Sequence, residues 1–460
     1  MKKLLSLLLG AAFASGATQA ADLLSVYRDA IGYDAQFASA RASRDAGLEK
    51  LPQGRAALRP MINFTDNLQR TETTTGYKSS SVMTIPHFLG TNLTAKIDPN
   101  IPDSTTKTTA NSWQFNLVQP LFRWQNWSTY KQSELATISA ETQYAGAKQD
   151  LIERVTQAYF DVLLAQEDLI TAQAQTTAIA EQLAAAKRNF EVGTTTITDT
   201  HEAQSRFDLI TANTIAAESN LQIRRHALGM LIGKEPDELK GLKNGVEISP
   251  PQPEDIGKWV ESAEKDNINV LLGKSNLEIA NREIEKQRTG HYPTLDLIAS
   301  RARSTTPPMF SGLINEATNN TTVLGLQLNI PIYSGGMTSS KAREAVALRE
   351  KAKADLENLR RIAALSARQS YLGVTSGLAQ VKALEQALIS SQSALDSNKL
   401  GYEVGVRVNI DVLNAQQQVF STRRDLAKAR VQTLTAQLKL KAATGSLTEQ
   451  DLVAINNLME

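Results

Sequence analysis

Asp199 and Asp411 each stand six residues beyond a glycine, in two stretches that are versions of one another: Phe190-Glu191-Val192-Gly193 and Tyr402-Glu403-Val404-Gly405. A Val-Gly pair of this kind supplies the left-handed turn that ends a helix. Each aspartate then falls in the first turn of the next helix, where a carboxylate gains about 0.3 to 1 kcal/mol from the helix dipole. The second stretch has additional polar groups, because Tyr402 and Arg407 replace Phe190 and Thr195. These residues can hydrogen-bond and pair charges, which is binding chemistry. Tyr402 as a plain packing residue and Arg407 as a solvated turn residue are the alternatives.

Catalytic patterns are missing. His87, His201, His226 and His291 are scattered over different elements without metal-ligand spacing, and no nucleophile elbow accompanies them. Gly229 to Lys234 lacks the spacing and the following Ser or Thr of a phosphate loop. There is no cysteine, so disulfides, thiolate metal sites and an acylated N-terminal cysteine are all excluded. We therefore expect neither an enzyme nor a bound metal or cofactor.

The elements that position the two stretches are themselves duplicated. Ala203-Gln204 recurs as Ala415-Gln416, Pro120-Leu121-Phe122 as Pro331-Ile332-Tyr333, and Arg59-Pro60-Met61 as Tyr292-Pro293-Thr294. Gly233 and Gly445 close the halves at equivalent points, and Ser249 to Asp255, rich in proline and acid, joins them. Each half reads as a leading helical stretch (22–58, 255–291), an extended segment, a polar loop, a second extended segment, a very long helix and a return helix. At 1.5 Å per residue a long helix of about 70 residues spans roughly 100 Å. A return helix of about 36 residues reaches half way along it, so the leading helix is expected to stack end to end with the return helix.

The first long helix has a seam of alternating four- and three-residue steps from Leu151 through Val155, Val162, Leu169, Ile179 and Leu183 to Phe190, with Thr176 its one polar member. Such a heptad repeat specifies a left-handed coiled coil. The second seam, from Ala363 to Tyr402, is smaller and more polar.

Alternation of period two marks the extended segments. Trp113, Phe115 and Leu117 alternate with Gln114 and Asn116, and Leu324, Leu326 and Leu328 with Gly325 and Gln327. Ile62, Phe64 and Leu68 repeat the pattern, as do Leu295 and Leu297. Long polar loops, Thr71 to Ala110 and Arg301 to Asn320, suit the outer loops of a membrane barrel, although a soluble sheet capping the helices would alternate too. Four strands cannot close a barrel, since outer-membrane barrels start at about eight strands and lipid tolerates no open edge. Several chains must share one barrel, and symmetry permits two, three or four.

Residues 1–20 read as a signal peptide, with Lys2 and Lys3 before an apolar Leu4 to Leu9 core and Ala20 at a small-residue cleavage site. An uncleaved anchor is the alternative, but that apolar run is far short of the roughly 20 residues a membrane helix needs. With 49 Lys plus Arg against 48 Asp plus Glu, the chain lacks the basic excess that a nucleic-acid partner would require. Aromatic residues make up only 5% of the 460, which favours long helices over a compact core.

On the duplicated hairpins, the Val-Gly turns, the Pro331-Ile332-Tyr333-Ser334-Gly335-Gly336 junction and the tail Leu447 to Leu452, the chain resembles the outer-membrane efflux protein (outer membrane factor) family over essentially its whole mature length. The resemblance implies a mainly α fold with a small membrane β part. In it, two tandem repeats of strand pair plus coiled-coil hairpin form a homotrimer, with a twelve-strand β-barrel on a twelve-helix tunnel. The segments expected are a signal peptide (1–20), a first repeat (21–244), a linker (245–256) and a second repeat (257–460). The first repeat would have strands 61–70 and 112–121, long helix 123–192 and return helix 197–232. The second would have strands 294–300 and 322–332, long helix 337–404 and return helix 410–444.

The implied function is an exit duct in the outer membrane for tripartite drug efflux pumps, type I secretion systems or both. Its partners would be a periplasmic adaptor, an inner-membrane pump or ABC exporter, and outer-membrane lipid. The resemblance also implies that Gln182, Thr198, Asp199, Tyr402 and Arg407 latch the periplasmic tip shut. Arg407 would pair with Asp199 and Thr198, and Tyr402 would meet Asp199 or Gln182. Asp411 would form a constriction ring whose second member is Asn414 here, where the family often has aspartate, while Lys399 replaces an acidic residue. Val192, Gly193, Val404 and Gly405 would be tip turns that contact the adaptor. A periplasmic coiled-coil adaptor or spacer without a pore is the rival reading, and the two strand doublets are what discriminates against it.

Overall fold

The computed structural model describes residues 21–76, 81–85, 93–97, 103–194, 196–243, 245–306 and 317–460. The expected signal peptide lies outside the described residues, as do parts of both expected polar loops. Two compact units are present. One comprises the chain up to Lys50, Leu135–Ala280 and Ala347–Glu460, and the other Leu51–Glu134 and Asn281–Val346.

The expected leading helices are broken rather than continuous. In the first repeat they are α1 (Leu23–Tyr33), α2 (Ala35–Leu48) and α3 (Lys50–Ala56). Asp34 leaves helical geometry at ψ 117° and caps α2, accepting from the Phe37 amide at 2.6 Å. An aspartate side chain competes with the helical backbone for that amide, so it starts a new helix where periodicity alone suggests continuation.

Four strands form one antiparallel sheet in the second unit, in the order β1 (Met61–Thr75), β4 (Ser104–Phe122), β5 (Thr294–Thr306) and β6 (Ala317–Asn329). A separate pair, β2 (Ser81–Ile85) and β3 (Leu93–Ile97), falls where a polar loop was expected. Both β1 and β4 also run further into that loop than alternation suggested. Threonines carry the extension: Thr71 faces Thr108, Thr73 faces Thr106, and the Thr74 and Thr105 hydroxyls meet at 3.0 Å. β-Branched threonine suits a pleated strand although its polarity hides it from an apolar pattern. At the other end β6 stops at Asn329, short of the expected 332, because Pro331 has no N–H to continue the ladder.

The long helices are α4 (Trp124–Glu191), of 68 residues, and α8 (Met337–Glu403), of 67. The second starts after Gly335 and Gly336, which have φ +64° and +82° and lie outside helical space. The return helices are α5 (Ile197–Ile232) and α9 (Asn409–Ala443). Between the repeats lie α6 (Ile256–Asp266) and α7 (Ile268–Arg288), and α10 (Glu449–Asn456) ends the chain. The α6–α7 break falls at Asn267, the counterpart of Asp34, and its side chain accepts from the Asn269 amide at 2.9 Å. A capping residue at the same point of each repeat produces the same interruption twice.

Both seams face inward. From Leu151 to Ala186 every seam residue of α4 is buried or half-buried, and so is every one from Ala363 to Tyr402 on α8. Each of the larger ones contributes about 1.5–3 kcal/mol on leaving water. Thr176, the polar member, finds the Thr214 hydroxyl of α5 at 2.9 Å. At Gly377 a Cβ would strike Thr433, so the smaller seam lets α8 and α9 approach closely. The main core of this unit gathers Leu23, Leu151, Tyr159, Leu228, Leu434 and Leu452 from α1, α4, α5, α9 and α10. Tyr159 ties the ends of the fold together, its hydroxyl donating to the Ala21 carbonyl at 3.1 Å or the Lys240 carbonyl at 2.8 Å.

Candidate functional site

At the first hairpin tip, α4 ends in a left-handed turn at Gly193 (φ +76°), with the Thr194 amide reaching back to the Asn189 carbonyl at 2.8 Å. The second tip repeats this geometry at Gly405 (φ +80°), where the Val406 amide reaches the Gly401 carbonyl at 2.9 Å. A positive φ at these two places is what makes glycine the fitting residue. Val192 and Val404 beside them are 72% and 66% exposed, so each tip presents an apolar side chain to its surroundings.

The two aspartates differ in what they do. Asp199 is consumed by a capping box: its Oδ2 accepts from the Thr196 amide at 3.1 Å and from the Thr196 hydroxyl at 3.0 Å. In the second repeat Val408 stands at the Thr196 position and offers no side-chain cap. Asp411 is thereby left for Arg407, whose Nη1 lies 3.6 Å from its Oδ2. The structure thus pairs Arg407 within its own hairpin rather than with Asp199 and Thr198. Tyr402 likewise receives a hydrogen bond from Asn189 Nδ2 at 3.4 Å, and among the described residues none joins it to Asp199 or Gln182. Gln182 is half-buried on α4 and Thr198 is exposed on the first turn of α5.

Besides Asn189 with Tyr402, the two hairpins are joined by Arg206, a residue that the spacing of motifs did not single out. Arg206 of α5 donates from Nη2 to Asn414 Oδ1 at 3.1 Å and from Nη1 to Gln417 Oε1 at 3.0 Å, both on α9. Beneath this fork Ile179 and Ile210 of the first hairpin pack on Leu413 of the second. A signal for Arg206 did exist, since its counterpart in the second repeat is neutral Gln418. Arg407, Asp411, Asn414 and Gln418 line one groove of about 360 Å³ together with Ser391, Ala394 and Asn398. A neighbouring groove of about 370 Å³ holds Arg206, Gln417, Arg424 and Asp168. Burial pushes the Asp168 carboxyl above the usual carboxylate range, while Arg424 and Lys428 pull it back.

The sheet has two chemically distinct faces. Register places Ile62, Leu117, Ala299 and Leu324 in one row and Phe64, Phe115, Arg301 and Thr322 in the next, the two phenyl rings 4.7 Å apart, so these rows are mainly apolar and carry one guanidinium. The opposite face has Asn63, Asn116, Ser300 and Val323 in one row and Thr65, Gln114, Ala302 and Thr321 in another, with the apolar row Met61, Val118, Ile298 and Gly325 at its end. On the apolar face Ile62, Phe64, Leu324 and Leu326 are 56–75% exposed. Among the described residues no helix is long and apolar enough to cross a membrane, and no cluster of three His, Asp or Glu could hold a metal ion.

Long duplicated hairpins joined to an antiparallel sheet with one apolar face form the architecture of an outer-membrane channel subunit. The chain belongs to the outer membrane efflux protein family, whose sequence profile matches residues 26–234 and 259–446. It is 31% identical to the outer membrane protein TolC of Escherichia coli (strain K12) over 470 residues, covering 100% of this chain and 90% of that protein. It is 30% identical to the proteases secretion protein PrtF of Dickeya chrysanthemi, covering 96% and 91%. Among solved structures, the Campylobacter jejuni CmeC outer membrane channel superposes with a TM-score of 0.74 at 15% identity, over 95% of this chain and 89% of that one, a likeness of fold. The protein is an outer-membrane exit duct.

Proposed function

We propose that the chain works as a homotrimer in which three four-strand sheets close one twelve-strand barrel over a tunnel of helical hairpins. The observation that carries this reading is the sheet: both outer strands, β1 and β6, have one paired neighbour among the described residues, and the apolar face is open. Unpaired strand edges cannot rest in lipid, so each edge needs the edge of another chain. The helices support the same assembly. Leu209, Ile223 and Met230 form an exposed heptad stripe on α5, while Ile362, Leu365 and Leu372 form a shorter exposed apolar stripe on α8. Two different stripes on one subunit make a head-to-tail interface, which closes into a ring.

The bore would carry drugs, secreted proteins or both, delivered through a periplasmic adaptor from an inner-membrane pump or ABC exporter. Val192, Gly193, Val404 and Gly405 would meet the adaptor. Tyr402, Arg407, Asp199, Thr198 and Gln182 would act at the gate, with Asp411 and Asn414 lining its constriction. In the arrangement described above Arg407 and Tyr402 use Asp411 and Asn189, so the gate would rest on these contacts as well.

Subunit mass in detergent together with single-channel conductance in a planar bilayer tests the proposal. A trimer with a small, stable conductance is expected. A freely soluble monomer without conductance would instead favour the spacer reading.

A further inference from the structure

Arg206 is explained neither by the repeat, which has Gln418 at its place, nor by helix capping, since it lies more than two turns into α5. Its guanidinium is forked onto two neutral amide oxygens, Asn414 Oδ1 and Gln417 Oε1. Among the described residues no carboxylate lies within ion-pair distance of it, so its charge is held in place but not cancelled. An arginine is well suited to this, because its planar cationic fork donates to two partners at once.

The charged residues that line the two grooves are Arg206, Arg407 and Arg424 against Asp168 and Asp411, while Glu202 and Asp208 flank Arg206 on α5 and Asp208 accepts from Gln204 at 2.9 Å. Asp411, one turn nearer the tip on α9, is matched by Arg407 at 3.6 Å, and Asn414 is neutral. Along the adjoining groove Arg424 adds a second cation, and the carboxyl facing it, Asp168, is the one that burial makes easier to protonate. Cyclic symmetry would repeat the arrangement once per subunit and turn a single guanidinium into a ring.

We propose that Arg206 is a specificity-determining residue of the duct, placing a ring of positive charge at the level of Asn414 that favours small anions such as chloride over cations. The proposal rests on the reading of Asp411 and Asn414 as lining the constriction. Asn414 and Gln417 then act as positioning residues, which hold the guanidinium at that level rather than let it swing into solvent.

Reversal potentials in asymmetric KCl test it on trimeric protein in planar bilayers, with Arg206→Gln, Arg206→Lys, Asp411→Asn and Asn414→Asp beside the unaltered chain. Removing one unit charge about 8 Å from a permeating ion changes its occupancy roughly twofold even at the dielectric constant of water. Arg206→Gln should therefore raise the potassium-to-chloride permeability ratio by at least about twofold, while Arg206→Lys, which keeps the charge, leaves it near that of the unaltered chain. An unchanged ratio in Arg206→Gln, with a shifted one in Asp411→Asn or Asn414→Asp, would remove Arg206 and leave the constriction where it was read. No shift in any variant would remove both. A rise in conductance without a change of ratio would make Arg206 a tether between hairpins only, and would overturn the proposal.

Discussion

Arg407, in the bend just before α9, lies 3.6 Å from Asp411 in the first turn of that helix, while Asp199, the equivalent carboxylate of the first repeat, is bound to Thr196. One substitution between the repeats, Thr196 against Val408, accounts for the difference, because only a hydroxyl side chain can close the capping box. The second tip consequently has a charged group whose partner can be exchanged, whereas the first tip does not.

If the second tip is the moving part of the gate, Tyr402→Phe combined with Arg407→Ser should open it. Tyr402 ends the seam and packs against Leu395, Val412 and Val419, but Tyr402→Phe keeps the ring in that contact and Arg407 lies outside it, so the helices should stay intact. A higher single-channel conductance from a trimer of unchanged mass is the expected outcome, and unchanged conductance would free both residues from the gate.

Acid stability should depend on Asp34. Arg154 donates to both of its oxygens, at 2.8 and 3.0 Å, and holds its carboxyl below the ordinary value of 3.8 against the opposing effect of burial. Since the native value is the depressed one, the stabilisation is complete above the unfolded value and is lost as pH falls through the native value. Asp34→Asn should cost about 1.5–3 kcal/mol at neutral pH, the range of hydrogen bonds to charged groups. Thermal unfolding measured from pH 7 down to pH 2 should show this difference shrinking below about pH 4.

Two glycines with similar φ should respond differently to alanine. At Gly405 (φ +80°) a Cβ meets nothing within 4 Å, so only the left-handed backbone is penalised, by about 1–2 kcal/mol. At Gly445 (φ +72°) the Cβ would also collide with the Asp266 carbonyl, adding the cost of a backbone shift of about 1–3 kcal/mol. Denaturant midpoints of the two variants should fall in that order, with Gly445→Ala the less stable.

The two faces of the sheet should tolerate charge unequally. Leu324→Arg puts a guanidinium on the apolar face, which costs about 2–4 kcal/mol at the middle of a bilayer, whereas Ser300→Arg puts it on the polar face. Extraction from outer-membrane fractions should recover trimer from Ser300→Arg and much less from Leu324→Arg. Equal recovery would mean that the apolar face does not meet lipid.

The amino-acid sequence alone determined the duplication, the seams, the return helices and the alternation of the strands. Each of these is a periodic pattern, and burial is periodic wherever a helix or strand packs on one face. It also determined that glycine would turn each tip. What the tertiary structure decided was partnership. Asp34 breaking a leading helix, threonines prolonging β1 and β4, Asn189 serving Tyr402 and Arg206 reaching Asn414 all depend on which polar group lies within about 3 Å. A chain cannot announce such pairs in advance, because several partners are chemically equivalent. Packing of the second hairpin against the first, through Ile179, Ile210 and Leu413, selects the one that is near.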